Sequence, residues 1–372
     1  MSSEKLGSAK DHLKGDLGGS WNILEGASAN YTALGIARRF GGSAAAFSLR
    51  DIGAMNGRVV KARRSEDDLE EDFSASQVAS GALEDWVNGK LENTLPADVA
   101  TASAAYSLRK VKASYSGDAV RIRRSSDDIE VDVAFDSDNK VSASSAITNV
   151  AEQGGESGQT TDTTLGDFIN GTDAFVHTWY DQAGSNDAVQ ETAANQPKIA
   201  ENGAFLADGI LFDGTNSFMQ TTSGFALTAS DDLSFSVVLQ SSNLSATQNV
   251  ISQENGTGTG RSWLILSSDD LQTFLGGSGA LFGTFTTNKF LYTSIYDDSA
   301  ATIDSFNNAA TSGSQLTSKS VEAASGAINI GESKTGTNRL DGSIEEIIIF
   351  KSDQSDNRFK IESNINNYYG LY

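Results

Sequence analysis

Val120-Arg121-Ile122-Arg123-Arg124-Ser125-Ser126-Asp127-Asp128-Ile129-Glu130-Val131-Asp132-Val133 alternates apolar and charged side chains on either side of a short polar turn. A period of two puts each set on its own face of a strand, and Ser and Asp between two such runs read as the turn of a β-hairpin. Closing the turn at Asp127-Asp128 sets Ile122 opposite Val133 on the apolar face and Arg123 opposite Asp132 on the charged one. The expectation is a wet face of cross-strand ion pairs that fix register and contribute about 0.2–1 kcal/mol each. An Arg-Arg-Ser run can also bind phosphate, but a carboxylate stands opposite the arginine here, which favours internal pairing.

The hairpin occurs twice. Ala45-Ala46-Phe47-Ser48-Leu49-Arg50 returns as Ala104-Ala105-Tyr106-Ser107-Leu108-Arg109 at an offset of 59. Val60, Arg63-Arg64-Ser65, Asp67-Asp68-Leu69-Glu70 and Asp72 then return as Val120, Arg123-Arg124-Ser125, Asp127-Asp128-Ile129-Glu130 and Asp132 at an offset of 60. Leu83-Glu84-Asp85-Trp86-Val87-Asn88-Gly89 matches Leu165-Gly166-Asp167-Phe168-Ile169-Asn170-Gly171 at an offset of 82, after an insertion rich in Ser, Gly and Thr. Two diverged copies of one supersecondary unit explain this. The same turn in the first copy pairs Ala62 with Phe73 and Arg63 with Asp72.

Beyond the repeat the strand signal persists. Ala174-Phe175-Val176-His177-Thr178-Trp179-Tyr180 reads as a buried strand followed by the polar loop Asp181-Gln182-Ala183-Gly184-Ser185-Asn186-Asp187. Leu233, Phe235, Val237 and Leu239 alternate with polar residues, and further strands are expected at 262–266, 271–275, 290–296, 300–306, 327–330 and 343–350. Ile347-Ile348-Ile349-Phe350 is apolar on both faces, which places the last strand centrally. One helix closes the pattern, with Ser355 as its cap, Phe359, Ile361, Ile365 and Tyr368 at helical spacing, and Gly370 at its end. The fold class expected is mainly β: an antiparallel β-sandwich preceded by a repeated hairpin unit, with a short C-terminal helix. The divisions are a docking segment 1–42, a first repeat 43–102, a second repeat and lead-in 103–204, and the sandwich 205–372.

Composition narrows the chemistry. The 372 residues include no Cys, 2 His and 2 Pro, and 49 acidic against 27 basic side chains, for a formal charge of −22. No disulfide, zinc ribbon or thiol nucleophile can be built. Nucleic acid is disfavoured because phosphate recognition needs clustered Lys and Arg. No run approaches the ~20 apolar residues of a membrane-spanning helix, and the opening residues lack the apolar stretch of a cleaved secretion signal. Residues 1–140 hold 18 basic and 22 acidic groups, so most of the excess negative charge lies downstream.

Few residues stand out as site candidates. Trp179, Tyr180 and Trp263 can serve as stacking platforms for a sugar beside acceptors such as Asp181, although aromatic rings in a sandwich also form the core. Asp181, Asn186 and Asp187 carry the oxygen ligands that calcium takes, yet Asp and Asn are equally ordinary turn formers. His177 reads as a packed histidine, and Glu345 and Glu346 as a solvated acidic pair. In the N-terminal segment Trp21, Ile23, Leu24, Tyr31 and Phe40 are apolar anchors without an evident core, as in segments that order against a partner.

Two sets of residues bring known families into view. Ile328-Asn329-Ile330-Gly331, Leu340-Asp341-Gly342-Ser343-Ile344-Glu345-Glu346-Ile347-Ile348-Ile349-Phe350 and Asn366-Asn367-Tyr368-Tyr369-Gly370-Leu371 resemble the closing strands and terminal helix of concanavalin A-like, laminin G type lectin domains, a jelly-roll sandwich. Tyr106-Ser107-Leu108-Arg109, the hairpin 120–127 and Thr178-Trp179-Tyr180-Asp181-Gln182-Ala183-Gly184 are similar to the opening of the arabinofuranosidase B β-sandwich. The combination resembles virion structural proteins of marine bacteriophages, of tail-fibre or head-decoration type, over residues 40–372 and most strongly at 103–220 and 326–372. That resemblance implies a particle component assembled in the host cytoplasm, in contact with other virion proteins and forming a homo-oligomer, on the pattern of a trimer. It also implies a face for host surface glycans. The alternative it leaves is an arabinofuranosidase-like glycoside hydrolase. Asp181 matches the Asp of that family's Tyr-Asp-Gln motif, but neither catalytic carboxylate can be placed and the family's cysteines are absent, so a non-enzymatic role is expected.

Overall fold

The structure is a computed structural model that describes residues 58–63, 70–74, 94–95, 101–152, 160–254, 260–268, 270–274, 280–317, 323–333 and 335–372. It divides into two compact units, Met1–Lys90 and Leu91–Tyr372. The expected docking residues Trp21, Ile23, Leu24, Tyr31 and Phe40 lie outside the described residues.

In the first unit β1 (Arg58–Arg63) and β2 (Glu70–Ser74) pair as a two-stranded antiparallel sheet. The second unit opens with β3 (Ala104–Ser107), β4 (Val120–Arg124), β5 (Ile129–Val133), β6 (Ile147–Glu152), the short helix α1 (Leu165–Phe168), β7 (Ala174–Trp179), β8 (Ala188–Val189), β9 (Lys198–Glu201) and β10 (Ala204–Phe205). It continues with β11 (Ile210–Asp213), β12 (Met219–Thr221), β13 (Leu233–Ser241), β14 (Gln248–Glu254), β15 (Gly260–Ser267), β16 (Asp270–Phe274) and β17 (Ala280–Thr284). β18 (Phe290–Asp297), β19 (Thr302–Asn307), β20 (Ala310–Thr311), β21 (Ile328–Ile330), β22 (Asp341–Phe350) and α2 (Arg358–Tyr369) complete it.

The pairings make two antiparallel layers. One runs β20-β19-β18-β13-β22, where the far edge of β22 takes β3 and β11, and β11 takes β9. The other runs β17-β16-β15-β14-β21-β12-β8-β7-β4-β5-β6. β7 joins them, because one of its edges pairs with β8 toward its end and with β9 toward its start. Residues 103–204 are therefore not a lead-in but strands of the same sandwich. Val120, Ile122, Val131, Val133, Trp179, Phe235, Trp263, Ile347 and Ile349 share the core between the layers. Ile348 and Phe350 face the other way and pack with Ile361 and Ile365 of α2, which accounts for the two-sided apolar run in the central strand β22. α2 starts later than expected: Asn357, not Ser355, stands at its N-cap, while Gly370 ends it at φ 62. Its left-handed conformation is the reason for glycine there.

The hairpin register differs from the expected one by two residues. Arg121 faces Asp132 and Arg123 faces Glu130, across the loop 125–128. Asp128 adopts φ 58 and donates its N–H to the Arg124 carbonyl at 3.0 Å, while the Asp127 carboxylate receives Arg124 at 2.7 Å. Closure thus falls one residue earlier than Asp127-Asp128, moving each partner by two and leaving every side chain on its expected face. The first hairpin shows the same register at the same offset: Lys61 faces Asp72 and Arg63 faces Glu70, replacing the expected Arg63 with Asp72 and Ala62 with Phe73. The repeat in sequence is therefore a repeat in structure.

Candidate functional site

β7 shows how the outer face of the larger layer arises. Ala174 and Val176 point into the core, but Trp179 does so too, which strict alternation forbids. The register slips between Arg121 and Ile122, which pair with Thr178 and Val176, so His177 is the extra residue of a β-bulge. The bulge resets the parity, turning Phe175, Thr178 and Tyr180 outward. From there the registers carry one line of outward residues across eight strands: Thr148, Asp132, Arg121, Thr178, Val189, Gln220, Asn329 and Ser252. Only Val189 is apolar. On these strands Val131, Ile122, Trp179, Ala188, Met219 and Ile330, which stand beside the line, belong to the core, so the line is polar because it faces away from it.

One end of this line gathers aromatic and acidic groups. Asp132 accepts from Arg121 Nη1 at 3.1 Å, Tyr180 Oη at 2.6 Å and Asn149 Nδ2 at 2.6 Å. Arg121 Nε also reaches Glu130 at 2.9 Å. Tyr115 donates to the Asp118 carbonyl at 2.8 Å, and its ring lies edge-on to Phe135 at 6.3 Å. Burial, then the nearby Asp132, raises Asp118 above the usual carboxylate range. Burial likewise raises Asp187, with Asp181 adding to it. Tyr180 is pushed far up by burial and by its bond to Asp132, and Tyr115 by burial and by the aspartates around it, Asp187 and Asp118 foremost. Both rings stay partly exposed. The expected wet face is thus largely covered: Arg123, Glu130 and Asp132 are buried, because β6, β7 and the loop bearing Gln196 flank them.

Several candidates take other roles. Trp179 and Trp263 are completely buried and cannot stack on a sugar; Trp179 packs on Tyr106 at 5.9 Å and Trp263 on Phe235 at 5.8 Å. The Asp181 loop does not fit calcium, because N–H groups occupy its oxygens. Asp181 Oδ1 accepts from the Ala105 and Ala183 amides at 2.9 Å each and Oδ2 from Asn186 at 3.3 Å. Asp187 Oδ1 accepts from the Asp181 amide at 2.9 Å, and Asn186 Oδ1 from the Ser223 amide at 2.9 Å. No metal-holding cluster of His and carboxylates occurs among the described residues. Gln182 accepts from the Val111 amide at 2.8 Å and donates to the carbonyls of Ser107 and Arg109 at 3.0 and 2.8 Å. The two motifs Tyr106-Ser107-Leu108-Arg109 and Tyr180-Asp181-Gln182 are therefore one hydrogen-bonded unit. His177 lies at the bulge, bonded to Thr178 at 2.8 Å and Glu191 at 3.2 Å.

Glu345 and Glu346 are buried, not solvated. Arg109 grips Glu346 through Nε at 2.7 Å and Nη2 at 2.8 Å, Ser107 Oγ adds a bond at 2.8 Å, and Arg109 Nη1 reaches Asn364 of α2 at 2.9 Å. Glu345 is the extra residue where β22 slips against β13, between the pairs of Ile344 and Glu346. It meets Lys289, and burial raises it to about 7.

Tyr115, Asp118 and Asn149 were not expected as site residues, since they lie outside the periodic runs or at a strand edge. Repeat divergence could have marked the first two: at the offset of 60 their counterparts are Met55 and Arg58.

Neither a protein-family model nor a curated protein matches this sequence. Among solved structures, a GH54 α-L-arabinofuranosidase soaked with 4-nitrophenyl α-L-arabinofuranoside is 18% identical over 71% of this chain, with a TM-score of 0.47. The chain spans 62% of that enzyme's length. The Ruminococcus gnavus IT-sialidase CBM40 bound to α2,3-sialyllactose is 12% identical over 38% of this chain and 96% of its own, with a TM-score of 0.30. A Trypanosoma rangeli sialidase is 10% identical over 51% of this chain and 30% of its own, at 0.37.

Proposed function

We propose that the protein is a structural component of a phage particle whose sandwich binds host-surface glycans on the outer face of its larger layer. One observation carries the glycan part: the partly exposed rings of Tyr115 and Tyr180 stand beside Asp118, Asp132 and Asn149 at the end of a polar row. Rings offer C–H stacking surface, and fixed carboxylate and amide groups orient hydroxyls. The particle role, docking through residues 1–42, a homo-oligomer such as a trimer and assembly in the host cytoplasm are supported by the sequence resemblance. A glycan array probed with the full chain tests the first part: hits that vanish with Tyr180→Ala are expected, and an array without hits refutes it. Mass spectrometry of purified virions tests the second, and its absence from particles refutes it.

A glycoside hydrolase is the second reading, favoured by the environment of Asp118, a carboxyl held up by burial next to the ionic network of Asp132. Release of nitrophenol from an aryl arabinofuranoside, abolished in Asp118→Asn, is its signature. No release by the purified chain removes it.

A further inference from the structure

We infer that this face selects by charge, taking glycans built of uncharged sugars and refusing sialylated, uronic or sulfated ones. The inference rests on the glycan-binding reading above and concerns the same site. Anionic sugars are held by a cation with free donors, usually an arginine fork. Here the neighbouring cations are already engaged by groups of the fold. Arg121 is divided between Glu130 at 2.9 Å and Asp132 at 3.1 Å. Arg123 reaches Asp128 at 2.6 Å and Gln196 at 2.8 Å. Lys112 donates to the Ala183 carbonyl at 3.0 Å.

Carboxylates outnumber these cations around the two tyrosines. Asp118, Asp132, Asp187 and Glu130 stand on or beside the face, and Arg121 is shared by two of them, Glu130 and Asp132. Glu130 makes the imbalance sharper: it is 3% exposed, its Oε2 is taken by Arg121, and its Oε1 has no hydrogen-bond partner. A buried carboxylate oxygen without a donor adds negative potential to the strand that carries Asp132. A second negative charge brought onto this surface meets like charge and must shed water beside cations already paired within the fold, whereas neutral hydroxyls can donate to the carboxylates present.

The test is calorimetric titration of the full chain with matched probes, lactose against α2,3-sialyllactose and arabino-oligosaccharides against oligogalacturonides, at low and high salt. Each neutral probe is expected to bind at least about tenfold more tightly than its anionic counterpart, with the gap narrowing as salt screens the face. In Asp118→Asn/Asp187→Asn the gap also narrows, while an unchanged melting temperature shows the fold intact. Equal or tighter binding of the anionic probes overturns the charge selection and leaves the glycan reading standing. Binding of none of the four overturns both.

Discussion

Replacing Arg109 with Met should loosen the C-terminal helix from the sandwich. The guanidinium and the Glu346 carboxylate are both fully buried and share two hydrogen bonds, and the same arginine reaches Asn364 on α2 and lies over the Tyr368 ring at 5.0 Å. Met fills much of the volume but leaves Glu346 with only the hydroxyls of Ser107 and Tyr369, at 2.8 and 3.3 Å. Stranding a buried charge in this way costs about 3–5 kcal/mol. For a unit of this size that is a fall in melting temperature of roughly 10 °C. Glu346→Leu should cost a similar amount by stranding the arginine. The double variant should recover most of the loss, because well-packed apolar groups replace a buried ion pair at little net cost. Chemical denaturation of the four proteins measures the cycle. If Arg109→Met costs under about 1 kcal/mol, or if the double variant is as unstable as the sum of the singles, the pair is not the coupled clamp its geometry describes.

Glu345 gives a pH prediction. Its folded-state value of about 7 lies above the ordinary carboxylate range, so the folded protein holds its proton more tightly than the unfolded chain. Stability should therefore fall as pH rises from about 4.5 to 7, by at most roughly 3 kcal/mol, and Glu345→Gln should flatten that part of a denaturation-versus-pH curve. Trp263→Ala should cost about 3–5 kcal/mol through a core cavity, and a variant of wild-type melting temperature would contradict its burial. Gly184→Ala should shift the melting temperature downward, since an added Cβ would lie 2.9 Å from Asp181 Oδ2 in the loop those bonds organise.

Alternation in the sequence was enough to assign faces in the hairpins, to mark β13 and to place β22 centrally. It could not say which of Asp127 and Asp128 adopts the left-handed conformation, and that choice moves the register by two. Nor does alternation survive a bulge. His177 and Glu345 each add a residue to a strand, and the faces of Trp179 and Glu346 are unreadable without knowing the partner strand that slips. Covering is equally non-local: Arg123, Glu130 and Asp132 read as wet because β6 and β7 reach them from 15 or more positions away in the chain. The site was legible only in Tyr180, where a ring follows a buried strand. Tyr115, Asp118 and Asn149 join it through tertiary pairing.

The central position of β22 sets the order in which the chain can be completed. β13 lies along one edge of β22, and β3 and β11 along the other. During synthesis these three strands are made long before residue 341, and none pairs directly with either of the others across the gap that β22 fills. Until residue 350 has left the ribosome the smaller layer is three fragments with open edges, a form prone to mispairing with neighbouring chains. Closure is then a single late insertion, with Arg109 waiting for Glu346 to arrive.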